Sequence, residues 1–562
     1  MQTLAQQGLR DLVLCPGSRS APLAMAAGML EEAGALELHT AIDERSAAFL
    51  ALGIATATGT STAVITTSGS AVANLLPAAV EADRSCQPLI LISADRPIRL
   101  KNCGANQTVN QEDFLRPACR WFGSAPLEGL DQLDQPAIEQ LAGSAWSQSM
   151  GSEGCAPGPV HLNLPFDEPL HASKAEYQQV AAGIQPGRPR LPDRQPAVSA
   201  HPVVPRLNAH QPGVVVAGPW RGLATALPAY QQAVHRWCTA TGWPVLADPL
   251  AQLPSECPGC LPHWELQLDH WTPQEPLQVL RLGPLPASRR LERWLQRRTS
   301  SQLLVSEGEP RRLDPLGVAE QYSGGCVAWL AHQSLPSAAA VGSNHDPLGP
   351  WLEQQLPLVG AVNEPALALG LAKLLPSGLP LMLAASSPVR DWLTWSGSAP
   401  GSASGSRPCF SFRGASGLDG TLSLAMGLAL KLGPMVLVCG DLALLHDSNG
   451  WLHAASRRIP LVVVLIDNGG GGIFQQLTIP AEPQDRFARL FAMPQTVNPL
   501  VLAAAHGIPG RQISCLEDLE PALAWGLDHT GPVLLRVCTD AGADAVLRHN
   551  LRVGAQNAAL TD

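Results

Sequence analysis

"VLVCGDLALLHDSNGWLHAASRRIPLVVVLIDNGGGG", residues 436–472, holds two short apolar runs rich in β-branched residues, each stopping at a polar turn residue. Runs of this kind are buried strands of a parallel sheet. The 20 residues 442–461 between them are enough for one helix and its turns, so the stretch predicts strand, helix, strand in a right-handed crossover. If the two strands are neighbours, Asp441 and Asn468 project from adjacent carboxyl ends, where open α/β sheets bind ligands. Asp441 offers a carboxylate, Asn468 an amide oxygen, and the glycine run lets a backbone carbonyl turn inward at Gly470. Three protein oxygens with room for phosphate oxygens suit magnesium bridging a diphosphate. Either dipeptide, "GD" or "DN", is by itself an ordinary strand-end turn. The pair, spaced across one crossover and followed by four glycines, points to metal and diphosphate.

The same grammar extends outward. "DLVLC", "STAVITT" and "PLILISAD" read as strands in the first 171 residues, with "APLAMAAGMLEEAG", "ERSAAFLALGIATATG" and "AVANLLPAAVEAD" as the helices between them. "GPVHLNLPFDEPL" (158–170) reads as the last strand of that block. "LCPGSRSAPL" (14–23) is a strand feeding a helix through a Pro-Gly turn, a shape suited to an anion. Residues 172–212, rich in proline, alanine and glutamine, read as a linker. A second block, 213–345, opens at "GVVVAGP" and continues through "WPVLADP" and "QLLVSEGE". A third, 346–562, holds "LPLMLAASSPVRDWL", a loop "SASGSRP" (402–408) and the opening stretch.

Bulk properties limit the functions open to this chain. It has 562 residues, 46% hydrophobic and 15% charged, which is a packed globular composition. A formal net charge of −10 without a long basic run argues against nucleic acid, so an acidic substrate must be caught by local arginines. No apolar run reaches membrane-spanning length, and the N-terminus has no apolar signal segment, so a cytoplasmic protein with reduced cysteines is expected. Cys257 and Cys260, with His263 and His270 downstream, have no second CxxC and no finger-like histidine spacing. They read as a structural loop rather than a zinc site.

"GD" followed 26 residues later by "DN" resembles the diphosphate-binding signature of thiamine diphosphate enzymes, although Leu442 stands where that signature often has another glycine. "CPGSRSAPL", "DERSAAFLALGIA", "TTSGSAVANLLPA", "SADRP", "CGANQ", "RGASGLDG" and "IDNGGGGIF" together resemble the 2-succinyl-5-enolpyruvyl-6-hydroxy-3-cyclohexene-1-carboxylate synthases of menaquinone and phylloquinone biosynthesis. The resemblance covers both outer blocks and is weaker in the middle one. It implies three successive Rossmann-like α/β domains: pyrimidine-binding, central and diphosphate-binding. It also implies thiamine diphosphate with Mg2+ or Mn2+, and a homodimer or homotetramer in which one active centre draws on two subunits. The implied reaction is decarboxylation of 2-oxoglutarate and conjugate addition of the succinyl-semialdehyde anion equivalent to isochorismate, with release of carbon dioxide.

The resemblance assigns roles residue by residue. Glu44 matches the cofactor-activating glutamate. Leu418 matches the apolar prop under the bent cofactor, Gly440 and Asp441 the diphosphate turn, and Ile473 and Phe474 residues packed near cofactor and substrate. Asp441, Asn468 and Gly470 would hold the metal. Both substrates are dianions, and Ser18, Arg19, Arg96, Asn106, Gln107, Arg289, Arg290, Ser386, Arg390 and Arg413 match the substrate-binding set. Arg289 stands where many members have lysine, and Pro388 lies between Ser386 and Arg390, a departure from the pattern. With the diphosphate placed at Asp441 and Asn468, the loop at Arg19 falls to a carboxylate of the acceptor. The family commonly has a longer helix before the first strand than "MQTLAQQGLR" provides. Two rivals remain: another thiamine diphosphate carboligase of the acetolactate synthase type, and a non-catalytic cofactor-binding relative.

Overall fold

The computed structural model describes residues 1–558 apart from 152–154, 185–203, 255, 274, 299, 310, 338–345, 347, 398–406, 455–457 and 477–483. Three sheets follow one another along the chain, and every strand pair in them is parallel. The first contains β1 (Asp11–Leu14), β2 (Glu37–Thr40), β3 (Thr62–Thr66), β4 (Leu89–Asp95), β5 (Trp121–Ser124) and β6 (Pro159–Pro165), in the order β2-β1-β3-β4-β6-β5. The second contains β7 (Gly213–Ala217), β8 (Val245–Ala247), β9 (Leu277–Leu282), β10 (Ser300–Val305) and β11 (Ala319–Tyr322), in the order β11-β10-β9-β7-β8. The third contains β12 (Leu381–Leu383), β13 (Cys409–Phe410), β14 (Met435–Gly440), β15 (Leu461–Asp467), β16 (Gly510–Ile513) and β17 (Val533–Cys538), in the order β13-β12-β14-β15-β17-β16. An α/β fold of three parallel-sheet units is what the alternating pattern predicted.

β14 and β15 are neighbours, with Gly440 opposite Ile466, so the crossover reading holds. The segment between them differs from expectation. Instead of one helix it makes a six-residue helix, Asp441–His446, then a 3-10 turn, Ser448–Ala454. The break falls at Asp447, which is fully buried and accepts from Ser423 N (2.7 Å) and Ser46 Oγ (3.2 Å). A carboxylate taken out of the helix to satisfy two other helices ends it.

The first and third sheets are joined by two helices, Glu44–Thr58 and Thr421–Leu432, whose buried faces belong to one hydrophobic core. They cross at Gly53 and Gly427, where a Cβ on either would meet a backbone carbonyl at 2.2 Å. β6 is last in chain order but lies inside the sheet, between β4 and β5, and is buried along its length. The short N-terminal helix, Gln2–Gln7, buries Leu4 and Ala5 in the same core as Trp146.

The 172–212 reading needs correction in part. Lys174–Gly183 is a helix, started by a capping box in which Ser173 and Glu176 satisfy each other's backbone. It buries none of its side chains, so its sequence lacks an apolar period. Val204 and Leu207 pack on the middle core, while 185–203, and most of the loop read at 402–408, lie outside the described residues.

Candidate functional site

At the carboxyl end of β14, Gly440 caps the helix that Asp441 opens. Asp441 is 6% exposed and accepts from Gly470 N through Oδ2 and from Leu442 N through Oδ1, both at 2.8 Å. Among the described residues no lysine or arginine pairs with it, and burial raises its pKa to about 6. Asn468 stands at the end of β15. Its Nδ2 donates to Glu364 Oε1 at 2.7 Å, which fixes the amide so that Oδ1 faces the other way. That oxygen is buried and, among the described residues, has no hydrogen-bond partner. Gly470 has φ 111°, and a Cβ there would lie 2.0 Å from Ala492 O, so only glycine fits. Its carbonyl accepts from Gly472 N at 2.8 Å. An orphaned amide oxygen beside an uncompensated carboxylate fits a hard divalent cation, since each lacks the positive partner a buried oxygen requires.

Glu364 was not anticipated. It is 2% exposed and ion-paired at 2.5 Å with Arg548, which bridges to Asp391 at 2.5 Å, next to Arg390. The sequence showed Glu364 only as an acid at a capped helix start after Asn363. Nothing local tied it to a residue 104 positions away.

Ile473 and Phe474 follow the glycine run in a 3-10 turn, with Phe474 tilted against Phe491 at 5.7 Å between centroids. Leu418 is 41% exposed, and its carbonyl accepts from Thr421 Oγ1. Glu44 is the first residue of its helix because Asp43 caps it, accepting from Arg45 N and Ser46 N. Its carboxylate takes a long bond, 3.4 Å, from Asn74 Nδ2. Among the described residues, no hydrogen bond or ion pair joins Glu44 to Asp441, Asn468 or Gly470.

The arginines fall into two groups. In the first sheet's block, Arg19 and Arg96 are each 8% exposed. Arg19 Nη1 donates to Phe166 O at 2.9 Å, its Nη2 lies 3.9 Å from Glu168, and its buried Nε has no hydrogen-bond partner among the described residues. Arg96 donates to the carbonyl and side-chain oxygens of Gln107 at 3.2 and 3.3 Å. Burial, and then the charge of Arg19, lower its pKa. Ser18 and Asn106 are exposed nearby in sequence. In the other group, burial and the charge of Arg413, then that of Arg289, lower the pKa of Arg390, while the neighbouring Asp391 raises it.

The pair Arg289–Arg290 is split. Arg289 is exposed at the start of its helix, whereas Arg290 is committed to Asp269 at 2.5 Å. Pro388 proves compatible with its site. It sits in the first turn of Ser387–Trp395, where proline is tolerated, and Arg390 Nη1 reaches back to Ser386 O at 2.6 Å.

Cys257 and Cys260 are buried, with Cys257 Sγ 3.9 Å from Cys238 Sγ. His263 bonds Thr394 O and His270 is exposed, so these four do not form a metal set. Among the described residues, the cluster with metal-like spacing is Asp11, Glu37 and His39, and Lys431 already bridges its carboxylates at 2.6 and 2.8 Å.

Comparison with known proteins agrees with this layout. The N-terminal TPP binding domain of thiamine pyrophosphate enzymes matches residues 1–114, the middle domain 191–378 and the C-terminal TPP binding domain 402–537. The fold and the paired strand ends therefore define a thiamine diphosphate enzyme. The relatives are more specific. 2-Succinyl-5-enolpyruvyl-6-hydroxy-3-cyclohexene-1-carboxylate synthases from Synechococcus sp. (strain CC9902) and Synechococcus sp. (strain CC9605) are each 62% identical, over 99% of this chain and 99% and 98% of theirs. That from Prochlorococcus marinus (strain NATL1A) is 45% identical over 98% of this chain and 95% of its own. The chain belongs to the 2-succinyl-5-enolpyruvyl-6-hydroxy-3-cyclohexene-1-carboxylate synthase family. Among the described residues, no helix is long and apolar enough to cross a membrane.

Proposed function

We propose that this chain joins 2-oxoglutarate, with loss of carbon dioxide, to isochorismate, giving 2-succinyl-5-enolpyruvyl-6-hydroxy-3-cyclohexene-1-carboxylate. The supporting observation is the pair of buried oxygens, Asp441 carboxylate and Asn468 Oδ1, at adjacent ends of β14 and β15. Asp441, Asn468 and Gly470 would hold Mg2+ or Mn2+ against a diphosphate, with residues 346–562 as the diphosphate-binding unit. Thiamine diphosphate, when bound, supplies the electron sink for decarboxylation.

The remaining work belongs to the protein. Glu44 would hydrogen-bond the pyrimidine ring of the bound cofactor and exchange a proton with it, and Leu418 would pack against the cofactor. Arg289, Arg390 and Arg413 form one anion-binding group, and Arg19 and Arg96, with Gln107, form another. Two cationic groups match two dianionic substrates. Residues 1–171 would carry the pyrimidine. Glu44 and the metal residues of one chain would serve different centres of a homodimer. The test is incubation with 2-oxoglutarate, isochorismate, thiamine diphosphate and magnesium, with the product identified by mass. Carbon dioxide release from 2-oxoglutarate and the adduct mass are expected. Release from pyruvate instead would move the chain to the acetolactate-type reading.

A further inference from the structure

The loop 413–418 after β13 is held at its start by two other parts of the chain. The Arg413 carbonyl accepts from Arg221 Nη2 at 2.9 Å, from the middle block. The next three amides all donate to one carboxylate, that of Glu81. Gly414 N lies 2.8 Å from Oε1, and Ala415 N and Ser416 N lie 2.6 and 3.2 Å from Oε2. Glu81 sits on the helix Leu76–Ser85 beside the first sheet and is 5% exposed. Ser416 takes a left-handed φ of 62°, the kind of turn that aims successive N–H groups at one anion. A Cβ on Gly414 would lie 2.7 Å from Glu81 Oε1, so glycine permits the approach. The Arg413 Nε is buried and, among the described residues, has no hydrogen-bond partner, while its charge acts on the buried carboxylate of Asp248.

We propose that Glu81 is a positioning residue for substrate: it fixes the 414–416 backbone so that Arg413 presents its guanidinium to a substrate carboxylate. The inference rests on the substrate role of Arg413 given above. Three charge-assisted bonds to a buried carboxylate define one loop geometry. A glutamine at this position keeps one acceptor oxygen and points donors at the same amides. Those amides would be left unsatisfied, and only Arg221 would hold the Arg413 backbone.

The test uses the full chain loaded with thiamine diphosphate and magnesium, in steady state with both substrates, for Glu81→Gln, Arg413→Ala and the double variant. Arg413→Ala identifies the substrate concerned by raising its KM. Glu81→Gln is expected to raise the same KM about tenfold, with kcat changed less than about threefold, and to add less than about twofold on the Arg413→Ala background. A staple that only joins domains would instead lower the active fraction, reducing kcat at constant KM; that result, or full multiplication with Arg413→Ala, overturns the proposal. Arg413→Ala with unchanged KM overturns the substrate reading of Arg413 and the proposal with it. A KM raised by Arg413→Ala but not by Glu81→Gln overturns the Glu81 role alone. If Glu81→Gln does not fold, Gly414→Ala displaces the same bonds from the loop side. The same KM rise is expected, and an unchanged KM overturns the proposal.

Discussion

At Asn468 the two ends of one amide have different fates: Nδ2 is spent on Glu364, and Oδ1 is left for a cation. Arg19 shows a similar division, with Nη1 anchored to Phe166 O and Nε unsatisfied. The two sites serve different anions in the proposed reaction, a diphosphate and a substrate carboxylate, and can be separated. Arg19→Ala should raise the KM for isochorismate at least about tenfold, the cost of one charge-assisted bond, and leave thiamine diphosphate affinity within about threefold. Calorimetry for the cofactor and steady-state kinetics for isochorismate read the two effects. Equal losses in both would return the loop at Arg19 to a phosphate role. Asp441 and Asn468 could be read as candidates because each follows a strand end with a turn beside it, and Arg19 because it lies in the Pro-Gly turn that leads from β1 into a helix. Glu364 and Glu81 were not, since each acts on a backbone or amide in a distant part of the chain.

Among the elements, most of the strands read were interior, although the edge strand β8 was read in "WPVLADP" and the interior strands β9 and β17 were not read. β3, β4 and β6 are buried at every position, so their apolar or β-branched runs announce them. The edge strands β2 ("ELHT") and β16 ("GRQI") each bury a single residue, and β5 and β13 are almost as sparse, so none had a period to find. Of the helix pair that joins the outer sheets, Glu44–Thr58 was read from "ERSAAFLALGIATATG" and Thr421–Leu432 was not, and their crossing had no signal, because a glycine in an apolar helix signals only lower propensity. The crossing is a test of the joint. In Gly427→Ala the Cβ would lie 2.2 Å from Leu50 O and 3.0 Å from Gly53 Cα, both rigid backbone. The variant should lose about 3 kcal/mol, at the upper end of overpacking costs, in denaturant unfolding. Gly28→Ala is the control: its Cβ would meet nothing within 4 Å, and the change should stabilise the protein by up to about 1 kcal/mol. Similar behaviour of the two variants would show that the crossing can spread at no cost.

Across the whole molecule, the candidate catalytic groups lie in separate places. Glu44 opens a helix of the first block, the metal oxygens close strands of the third, and no bond among the described residues joins them. Side-chain bonds that tie the two blocks together near Glu44, from Asn449 to Asp43, from Ser46 to Asp447 and from Arg45 to the His446 carbonyl, involve its neighbours. A symmetric homodimer resolves this if each centre takes Glu44 from one chain and Asp441 and Asn468 from the other. That arrangement predicts complementation between dead variants. Glu44→Gln and Asp441→Asn should each abolish turnover as pure dimers. After the two are unfolded, mixed in equal amounts and refolded together, about half of the dimers are mixed. In each mixed dimer one centre carries both substitutions and the other carries neither, so the mixture should recover about a quarter of wild-type activity. Were each centre built from a single chain, every centre in a mixed dimer would carry one substitution, and no activity would return. Size-exclusion chromatography with differently tagged chains confirms that mixed dimers formed, and the activity of that fraction then decides between a shared centre and a separate one.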